Sequence, residues 1–400
     1  MKAKFITNPY FIYSLAFSFV LLFYQLAWSE LYPNLSVALI LFFFASIFIS
    51  IIFCLYFNKI NYFSYSNVTF NHKTLWLVTG FILLGNLIEF KYMGLVPLFA
   101  ILQGSKYAYT DFGIPTFHVV LIVFNSFWAV FIFHNLVSSR QKNLIIPYLL
   151  CLLPSVLIFN RGNFLMIIAS SIFISLMAAK KLKQLLLKVA IFSIIILFSF
   201  GIAGNIRVSK GKKTANDLIL TLGRASTEFK DSPIPKEFFW AYLYTTSPIA
   251  NLQQTLDKHD VTELSFEKVL IFINCEILPD FVSKRNKHLF QQREPIDQIS
   301  NAFTVGSVYA RSCAYFGYWG LIVMFGFIIL FNILTIAMLN KNSIFFVTGI
   351  AILNSIMVFS IFDNMFTFAG LVLQLGFPLL FGFLIHQKMF IYNNTLIANK

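Results

Sequence analysis

The chain has 400 residues, of which 58% are hydrophobic and only 12% are charged. Its mean hydropathy is +0.77. Soluble domains carry about 25% charged residues, and one core in water cannot bury so much apolar surface, which includes 50 Phe side chains. The composition excludes a soluble enzyme, a disordered chain and a disulfide scaffold. The apolar runs are continuous over about 16–23 residues, which is typical of membrane helices and not of a membrane barrel.

The net charge is +14, from 30 Lys and Arg against 16 Asp and Glu. In a soluble protein this excess would suggest a nucleic-acid partner. In a membrane protein it indicates topology instead, because short cytoplasmic loops collect Lys and Arg. We therefore expect no nucleic acid among the partners. The four cysteines are scattered and form no CxxC pair, so we expect no metal site. We also expect no cofactor.

The sequence predicts an all-α, polytopic membrane protein with about ten spanning helices. The predicted spans lie near 9–28, 35–57, 74–90, 116–137, 144–159, 164–179, 186–204, 318–339, 343–361 and 366–386. A cytoplasmic N-terminus places nearly all Lys and Arg of the short loops inside, and this bias fixes the orientation. Both termini then lie in the cytoplasm.

This topology divides the chain into three parts. Residues 1–204 form a membrane bundle of seven helices, residues 205–316 form a periplasmic loop, and residues 317–400 contain the last three helices. A structureless loop of that length is rare, so the loop should be a folded, helical cap. Residues 93–102 are apolar but contain Pro97 and are too short to span, which predicts a re-entrant or interfacial segment.

Three segments of the large loop have helical patterns. An amphipathic segment is predicted from the spacing of Leu218, Leu222, Ala225 and Phe229. Ser247-Pro248 predicts a helix start, because Ser is a good N-cap and Pro suits the first helical position. The third helical segment is predicted from Phe266 to Glu276.

Arg161 lies in the Asn160-Arg161-Gly162-Asn163 junction between the fifth and sixth predicted helices. Each of these helices offers only about 16 apolar residues, or roughly 24 Å, whereas the hydrocarbon core is about 30 Å thick. The junction should therefore be drawn towards the outer interface. A cation at that depth tends to be functional, and the alternative is an Arg that reaches a lipid phosphate.

Arg207 follows the seventh predicted helix directly and forms a cationic cluster with Lys210, Lys212 and Lys213. Such a cluster suits a diphosphate, since Arg offers a bidentate fork and Lys a point charge. The alternative is an interfacial anchor, which we prefer for the three Lys residues. For Arg207 we favour a functional role.

Other loop residues could contact a substrate, and each has a structural alternative. Arg224 lies opposite the apolar stripe of its predicted helix, as a ligand or as part of a solvated face. Arg311 precedes the eighth predicted helix among aromatic residues that suit an interfacial belt or sugar stacking. Acids inside the spans are nearly absent, and Glu89, Asp111 and Asp363 fall at outer ends. This argues against an ion-coupled transporter.

Several features of the layout occur together. Phe-, Ile- and Leu-rich helices are joined by a short outer segment, GLVPLF, and by an Arg-Gly pair between helices five and six. Arg207 heads one large outer loop, which contains YLYTTSPIANLQ and ends in NAFTVGSVYARSCAYFGYWGLI. Together these features resemble the oligosaccharide repeat unit polymerases, the O-antigen polymerases of Gram-negative surface polysaccharide assembly.

The chain departs from one pattern of that family. Some members are described with paired outer loops in which Gly lies eleven positions after Arg. Eleven positions after Arg207 stands Leu218, and eleven after Arg224 stands Pro235. The sequence therefore does not support a symmetric two-loop mechanism.

The resemblance implies a reaction at the periplasmic face of the bacterial inner membrane. A growing glycan on undecaprenyl diphosphate passes to the non-reducing-end hydroxyl of an incoming lipid-linked repeat unit, and the lipid diphosphate leaves. The implied partners are this donor, this acceptor and membrane lipids, with a chain-length regulator protein as a further candidate. No nucleotide is needed, because the diphosphate linkage is already activated.

Such a site must stabilise negative charge on the leaving group. We predict that Arg161 and Arg207 clamp the donor diphosphate, with Lys210 beside them, and that Arg224 or Arg311 assists on the acceptor.

The sequence leaves the general base open. Lipid-dependent membrane glycosyltransferases often use an acid in the first outer loop, where Glu30 lies, but Glu237, Asp280 and Glu294 are also eligible. Tyr244 and Asn251, both in YLYTTSPIANLQ, either contact sugar or pack within a loop helix.

Three other functions compete with a polymerase. An O-antigen ligase has a similar body, but it usually carries a catalytic His late in the loop, and His288 lacks the expected surroundings. A lipid-linked oligosaccharide flippase or other transporter would have a charged cavity, related halves and short loops, and this chain shows the reverse. A scaffolding protein would not explain the placed arginines.

The predicted topology can be tested with reporter fusions after residues 161 and 207. Both fusions should be active only as periplasmic reporters, whereas a fusion after residue 140 should report the cytoplasm, because the Lys and Arg bias orients the chain. A cytoplasmic result at residue 161 or residue 207 would contradict the proposed diphosphate clamp.

Overall fold

The computed structural model describes residues 3–103, 112–209, 215–258 and 264–384. Every regular element in these ranges is a helix. The first half of the chain forms α1 (Ala3–Ile6), α2 (Pro9–Tyr24), α3 (Val37–Lys59), α4 (His72–Met93), α5 (Pro97–Leu102), α6 (Phe117–Ser139), α7 (Ile145–Leu157), α8 (Arg161–Ala178) and α9 (Leu182–Ser209).

The large loop is also helical. It contains α10 (Ala215–Leu222), α11 (Thr227–Asp231), α12 (Phe238–Lys258), α13 (Phe266–Phe272) with a π-turn at Ile273–Ile277, α14 (Asp280–Ser283), α15 (Lys287–Gln291) and α16 (Ala310–Phe316). The chain then returns to the bundle through α17 (Tyr318–Met338), α18 (Phe346–Phe359) and α19 (Ala369–Val372), after which the helix continues to Leu384.

Within the described residues, six helices are long and apolar enough to cross a membrane: α3, α4, α6, α8, the Leu182–Ser199 part of α9, and α17. Four shorter apolar helices, Pro9–Tyr24, Lys142–Leu157, Phe346–Phe359 and Ala369–Leu384, coincide with the other four predicted spans. The all-helical, transmembrane character is therefore confirmed. The number of ten spans and the side on which the large loop lies remain predictions.

Burial separates the helices that face the surroundings from those that form the core. The outer face of α3 exposes Leu41, Phe44 and Phe48 by more than 60% each. In contrast, α18 is buried over nearly its whole length and packs against α2, α6 and α8. Polar side chains pair inside this core, as Ser170 and Ser355 do through their hydroxyls at 2.8 Å. Such pairs satisfy groups that lipid would leave unbonded.

Contacts between connecting segments sort the helix ends into two groups. At one end, the Ser36 N–H donates to Gln253 Oε1 at 2.8 Å and the Asp280 N–H donates to the Thr367 carbonyl at 2.7 Å. At the other end, the Tyr62 hydroxyl donates to the Ile336 carbonyl at 2.8 Å. We call the end that carries residues 215–316 the loop end.

Two predicted loop helices differ from the structure. Ser247-Pro248 does not start a helix, because both residues lie inside α12. Pro248 removes one backbone donor, and α12 continues because it is buried on both sides of that point, against α2, α9 and α16. Tertiary packing therefore outweighs the local proline signal.

The single amphipathic segment predicted over residues 218–229 is also wrong. The chain is helical in α10 and α11, but between them it bends at Arg224, whose φ is +43°. The bend frees the backbone of residues 223–226 to bond to the first loop. The two other short predictions are closer: Phe266–Glu276 is helical, and Pro97–Leu102 forms a short helix. The re-entrant position of that short helix remains a prediction.

The tight approach of α16 and α17 at Gly320 can be tested. An added Cβ there would collide with the backbone carbonyl of Ser312, so Gly320→Ala should lower the free energy of unfolding by about 1–3 kcal/mol. Gly326 lies in the same helix with no atom within 4 Å of such a Cβ. Gly326→Ala should leave stability unchanged or raise it by about 0.5–1 kcal/mol. Unfolding in detergent measures both, and equal effects would contradict this packing.

Candidate functional site

The first loop and the large loop pair through a short antiparallel contact, which we call the seam (residues 28–30 and 223–226). The Ser226 N–H donates to the Trp28 carbonyl at 2.9 Å, and the Glu30 N–H donates to the Arg224 carbonyl at 2.8 Å. The Ser29 hydroxyl donates to the Gly223 carbonyl at 2.6 Å. The structure thereby brings Glu30 and Arg224 together, and both side chains are exposed.

Aromatic rings pack beneath the seam. Trp28 lies 4.5 Å from Phe229 between ring centroids, and Tyr32 stacks on Tyr24 at 5.2 Å and on Tyr242 at 5.5 Å. The Thr246 hydroxyl donates to the Tyr32 hydroxyl at 2.9 Å. Burial raises the pKa of Tyr242 to about 12 and that of Tyr32 well above its ordinary value. These phenols therefore stay neutral and hold the first loop on α12.

A cleft of about 250 Å³ opens beside the seam, between the end of α2 and the start of α3. Its walls include Tyr24, Gln25, Ser29, Tyr32, Asn34 and Ile40. The hydroxyls and rings of Tyr24 and Tyr32 are engaged within the wall, whereas the amides of Gln25 and Asn34 are exposed and can donate and accept hydrogen bonds. Leu22 on α2 and Val37 on α3, each two residues from a wall residue in the chain, are exposed apolar side chains.

Arg161 lies at the loop end, at the first position of α8. The Asn160 side chain caps the helix by accepting the Asn163 N–H at 3.0 Å, and Asn163 joins α8 to α6 and α7 through Ser126 and Ser155. The Arg161 guanidinium is exposed and lies 5.4 Å from the Phe159 ring centroid. Among the described residues it has no acidic partner.

The cationic cluster predicted around Arg207 cannot be placed in the same way. The backbone of Arg207 lies in the last turns of α9, but its side chain, like the whole of Lys210, Lys212 and Lys213, lies outside the described residues. The pairing of Arg161 with Arg207 on one diphosphate therefore remains a prediction.

The remaining predicted contacts have different surroundings. The Asn251 side chain is buried, donates to the carbonyls of Phe303 and Val305 at 2.7 Å each and accepts the Ile299 N–H at 2.8 Å. These bonds hold the loop backbone and leave its amide unavailable for a sugar in this conformation. Tyr244, by contrast, is exposed on α12, with its ring 6.1 Å from that of Trp240.

A buried ion pair in the large loop was not predicted from the sequence. Arg293 Nε lies 2.9 Å from Glu276 Oε1, and the Asn364 amide donates to Glu276 Oε2 at 3.2 Å. Burial raises the pKa of Glu276, although the positive charges of Arg293 and of the half-buried Arg311 oppose the shift. The ion pair ties the π-turn to the segment after α15, and Asn364 ties it to the segment after α18. No local pattern in the sequence marks it.

A second acid–base pair was also not predicted from the sequence. Glu89, at the loop end of α4, is buried, and its Oε2 lies 2.7 Å from Nδ1 of His118 at the start of α6. One signal was visible in the sequence, an acid at the end of an apolar helix. Its partner is 29 positions away and no motif connects the two.

All four cysteines are free, Cys275 and Cys313 included, and burial raises the pKa of Cys313 to about 12. No group of three or more His, Cys, Asp and Glu is placed to hold a metal ion within the ranges that the structure describes. Comparisons with protein-family models, curated proteins and solved structures gave no match for this chain.

The Glu276–Arg293 pair can be tested by removing one partner. Arg293→Met leaves a carboxylate buried without its cation, which should cost about 3–5 kcal/mol of stability. The matched control is Lys284→Met, which breaks the pair with Asp280 at 3.2 Å, where the Lys284 side chain is 59% exposed. That change should cost no more than about 1 kcal/mol. Thermal unfolding in detergent measures the stability of both variants. If Arg293→Met loses no more stability than Lys284→Met, the Glu276–Arg293 pair does not stabilise the loop.

Proposed function

We propose that this chain is a glycosyltransferase that polymerises undecaprenyl-diphosphate-linked oligosaccharide repeat units at the periplasmic face of a bacterial inner membrane. The observation that carries the proposal is the cleft between α2 and α3. It combines sugar-binding groups with a position at the edge of the apolar helix faces. A ligand with a sugar head and a lipid tail fits both surroundings at once.

Lipid-linked substrates impose a specific geometry. The lipid chain stays in the bilayer, the diphosphate lies among the headgroups and the sugar extends into water. Exposed Leu22 on α2 and Val37 on α3 provide an apolar surface for the lipid, while the exposed amides of Gln25 and Asn34 in the cleft wall provide groups for a sugar. This order of surfaces supports a lipid-linked saccharide over a soluble sugar nucleotide.

The proposed reaction moves a glycan between two such lipids. The acceptor hydroxyl loses its proton to a base, its oxygen forms a bond to the anomeric carbon of the donor, and the bond from that carbon to the phosphate oxygen breaks. The electron pair leaves with the lipid diphosphate. Cations near the leaving group stabilise this charge. Arg161 and Arg207 are proposed for this role, with Arg224 and Arg311 at the acceptor.

Glu30 is proposed to act at the sugar end of the site. It follows Ser29, which lines the cleft, and its backbone is bonded to that of Arg224 at the seam. An acid next to a cation at a sugar cleft can orient hydroxyl groups as well as accept a proton. The choice between these two roles depends on where the acceptor hydroxyl lies.

The clamp can be tested with the purified protein in proteoliposomes that contain lipid-linked repeat units extracted from cells lacking this chain. We expect Arg161→Lys and Arg207→Lys each to lower the rate of chain extension by about 10²–10³, because Lys cannot replace a bidentate guanidinium contact. The matched control is Arg140→Lys at the opposite end of α6, where the exposed Arg140 should tolerate the change. Full-length polymer from the Arg161→Lys, Arg207→Lys double variant would remove the clamp.

A deletion separates the proposed function from its rivals. Loss of a polymerase leaves surface lipid capped with a single repeat. Loss of a ligase leaves bare core with polymer still on the carrier, and loss of a flippase traps single repeats facing the cytoplasm. Either of the last two results would reject the polymerase proposal.

A further inference from the structure

His118 and Glu89 form a carboxylate–imidazole pair that the proposed site does not yet use. The Glu89 side chain is fully buried, with 0% of its surface exposed, and both of its oxygens accept. The Ile114 N–H donates to Oε1 at 3.1 Å, and Nδ1 of His118 lies 2.7 Å from Oε2. A carboxylate can only accept, so Nδ1 donates to Glu89, and Nε2 is the ring nitrogen that is left for another partner.

The chain before α6 fixes the orientation of this ring. Gly113 has a φ of +96°, and a Cβ at that position would collide with the His118 ring. Thr116 also has a positive φ, +70°, and the Phe112 ring meets the imidazole edge-on at 5.4 Å between centroids. A strained turn that holds one ring in place is typical of functional sites. The His118 side chain remains 16% exposed, and among the described residues Nε2 has no partner.

Two segments that pack near the start of α6 carry arginines. One turn further along α6, Ile122 packs in a cluster with Ile158, which lies just before the junction that carries Arg161. From the large loop, the exposed Arg285 donates to Thr116 Oγ1 at 3.4 Å. His118 therefore lies at the loop end, one turn from a residue that packs against the segment before Arg161 and two residues from the Arg285 contact.

We infer that His118 is the general base of this protein and that Glu89 is its positioning residue. The inference rests on the proposed function and completes its reaction. Nε2 takes the proton of the acceptor hydroxyl, the oxygen attacks the anomeric carbon, and the electron pair of the broken bond leaves on the lipid diphosphate. The imidazolium that forms is stabilised by the buried Glu89 carboxylate at 2.7 Å. This pair thus takes the role that the four acids left open.

The substitution His118→Asn tests this role without removing the contact to Glu89. Asn keeps a donor near the position of Nδ1 but has no group at Nε2. We expect its melting temperature in detergent to stay near that of the unaltered protein, while the turnover number falls about 10²–10⁴-fold and KM changes little. The control is His288→Ala, since His288 is exposed on α15, and it should keep full turnover.

Two further variants distinguish base catalysis from a structural role. Added imidazole should restore part of the turnover of His118→Ala, because a free base can enter the space that the side chain leaves. Glu89→Gln should lower turnover with KM nearly unchanged, since an amide cannot hold the same tautomer, and Glu89→Asp should recover part of the loss.

The outcomes separate the two proposals. If the unaltered protein extends lipid-linked repeats and folded His118→Asn does so at the same rate, the assignment of the base is overturned and the polymerase proposal stands. If the unaltered protein transfers no sugar, both are overturned. Loss of turnover in His118→Asn without rescue of His118→Ala by imidazole would make His118 a structural residue and also overturn the assignment.

Discussion

Backbone groups at the ends of apolar helices need hydrogen-bond partners, and in this protein the large loop supplies many of them. The first loop bonds to residues 223–226, the N-cap region of α3 bonds to Gln253, and the segment after α18 bonds to Glu276 and Asp280. Within lipid these groups would find no water. The large loop therefore contributes to the stability of the bundle and is not an appended cap, and the meeting of Glu30 with Arg224 depends on how it docks.

This docking explains which parts of the structure the sequence predicts. The apolar helices follow from composition alone. In an apolar medium, the backbone N–H and C=O groups of a run such as that of α3 can find hydrogen-bond partners only within a helix. The bend at Arg224 and the continuation of α12 through Pro248 could not be predicted. Both are set by contacts with segments far away in the chain. Local helix propensity contributes less free energy than such packing.

The candidate site also contains features that the local sequence predicts and features that depend on distant contacts. The role of Arg161 is predicted from the shortness of two neighbouring helices, which is local information; the structure places it exposed at the start of α8, and its depth in the membrane remains a prediction. The meeting of Glu30 with Arg224 and of Glu89 with His118 was not predicted, since neither pair has a motif or a fixed spacing. Asn251 shows the opposite error. The sequence suggested that this polar residue could contact sugar, but in the structure its side chain bonds to the loop backbone.

The seam also has a consequence for biosynthesis. Ser29 and Gly223 are 194 positions apart, so the first two helices leave the ribosome long before the segment that pairs with their connecting loop. Until that segment is synthesised, the Glu30 N–H and the Ser29 hydroxyl can bond only to water or to an insertion factor. Contacts of such long sequence separation form slowly because the intervening chain must first be ordered. Assembly of the cleft should therefore be a late event in maturation, and a truncated nascent chain should carry an unfinished first hairpin.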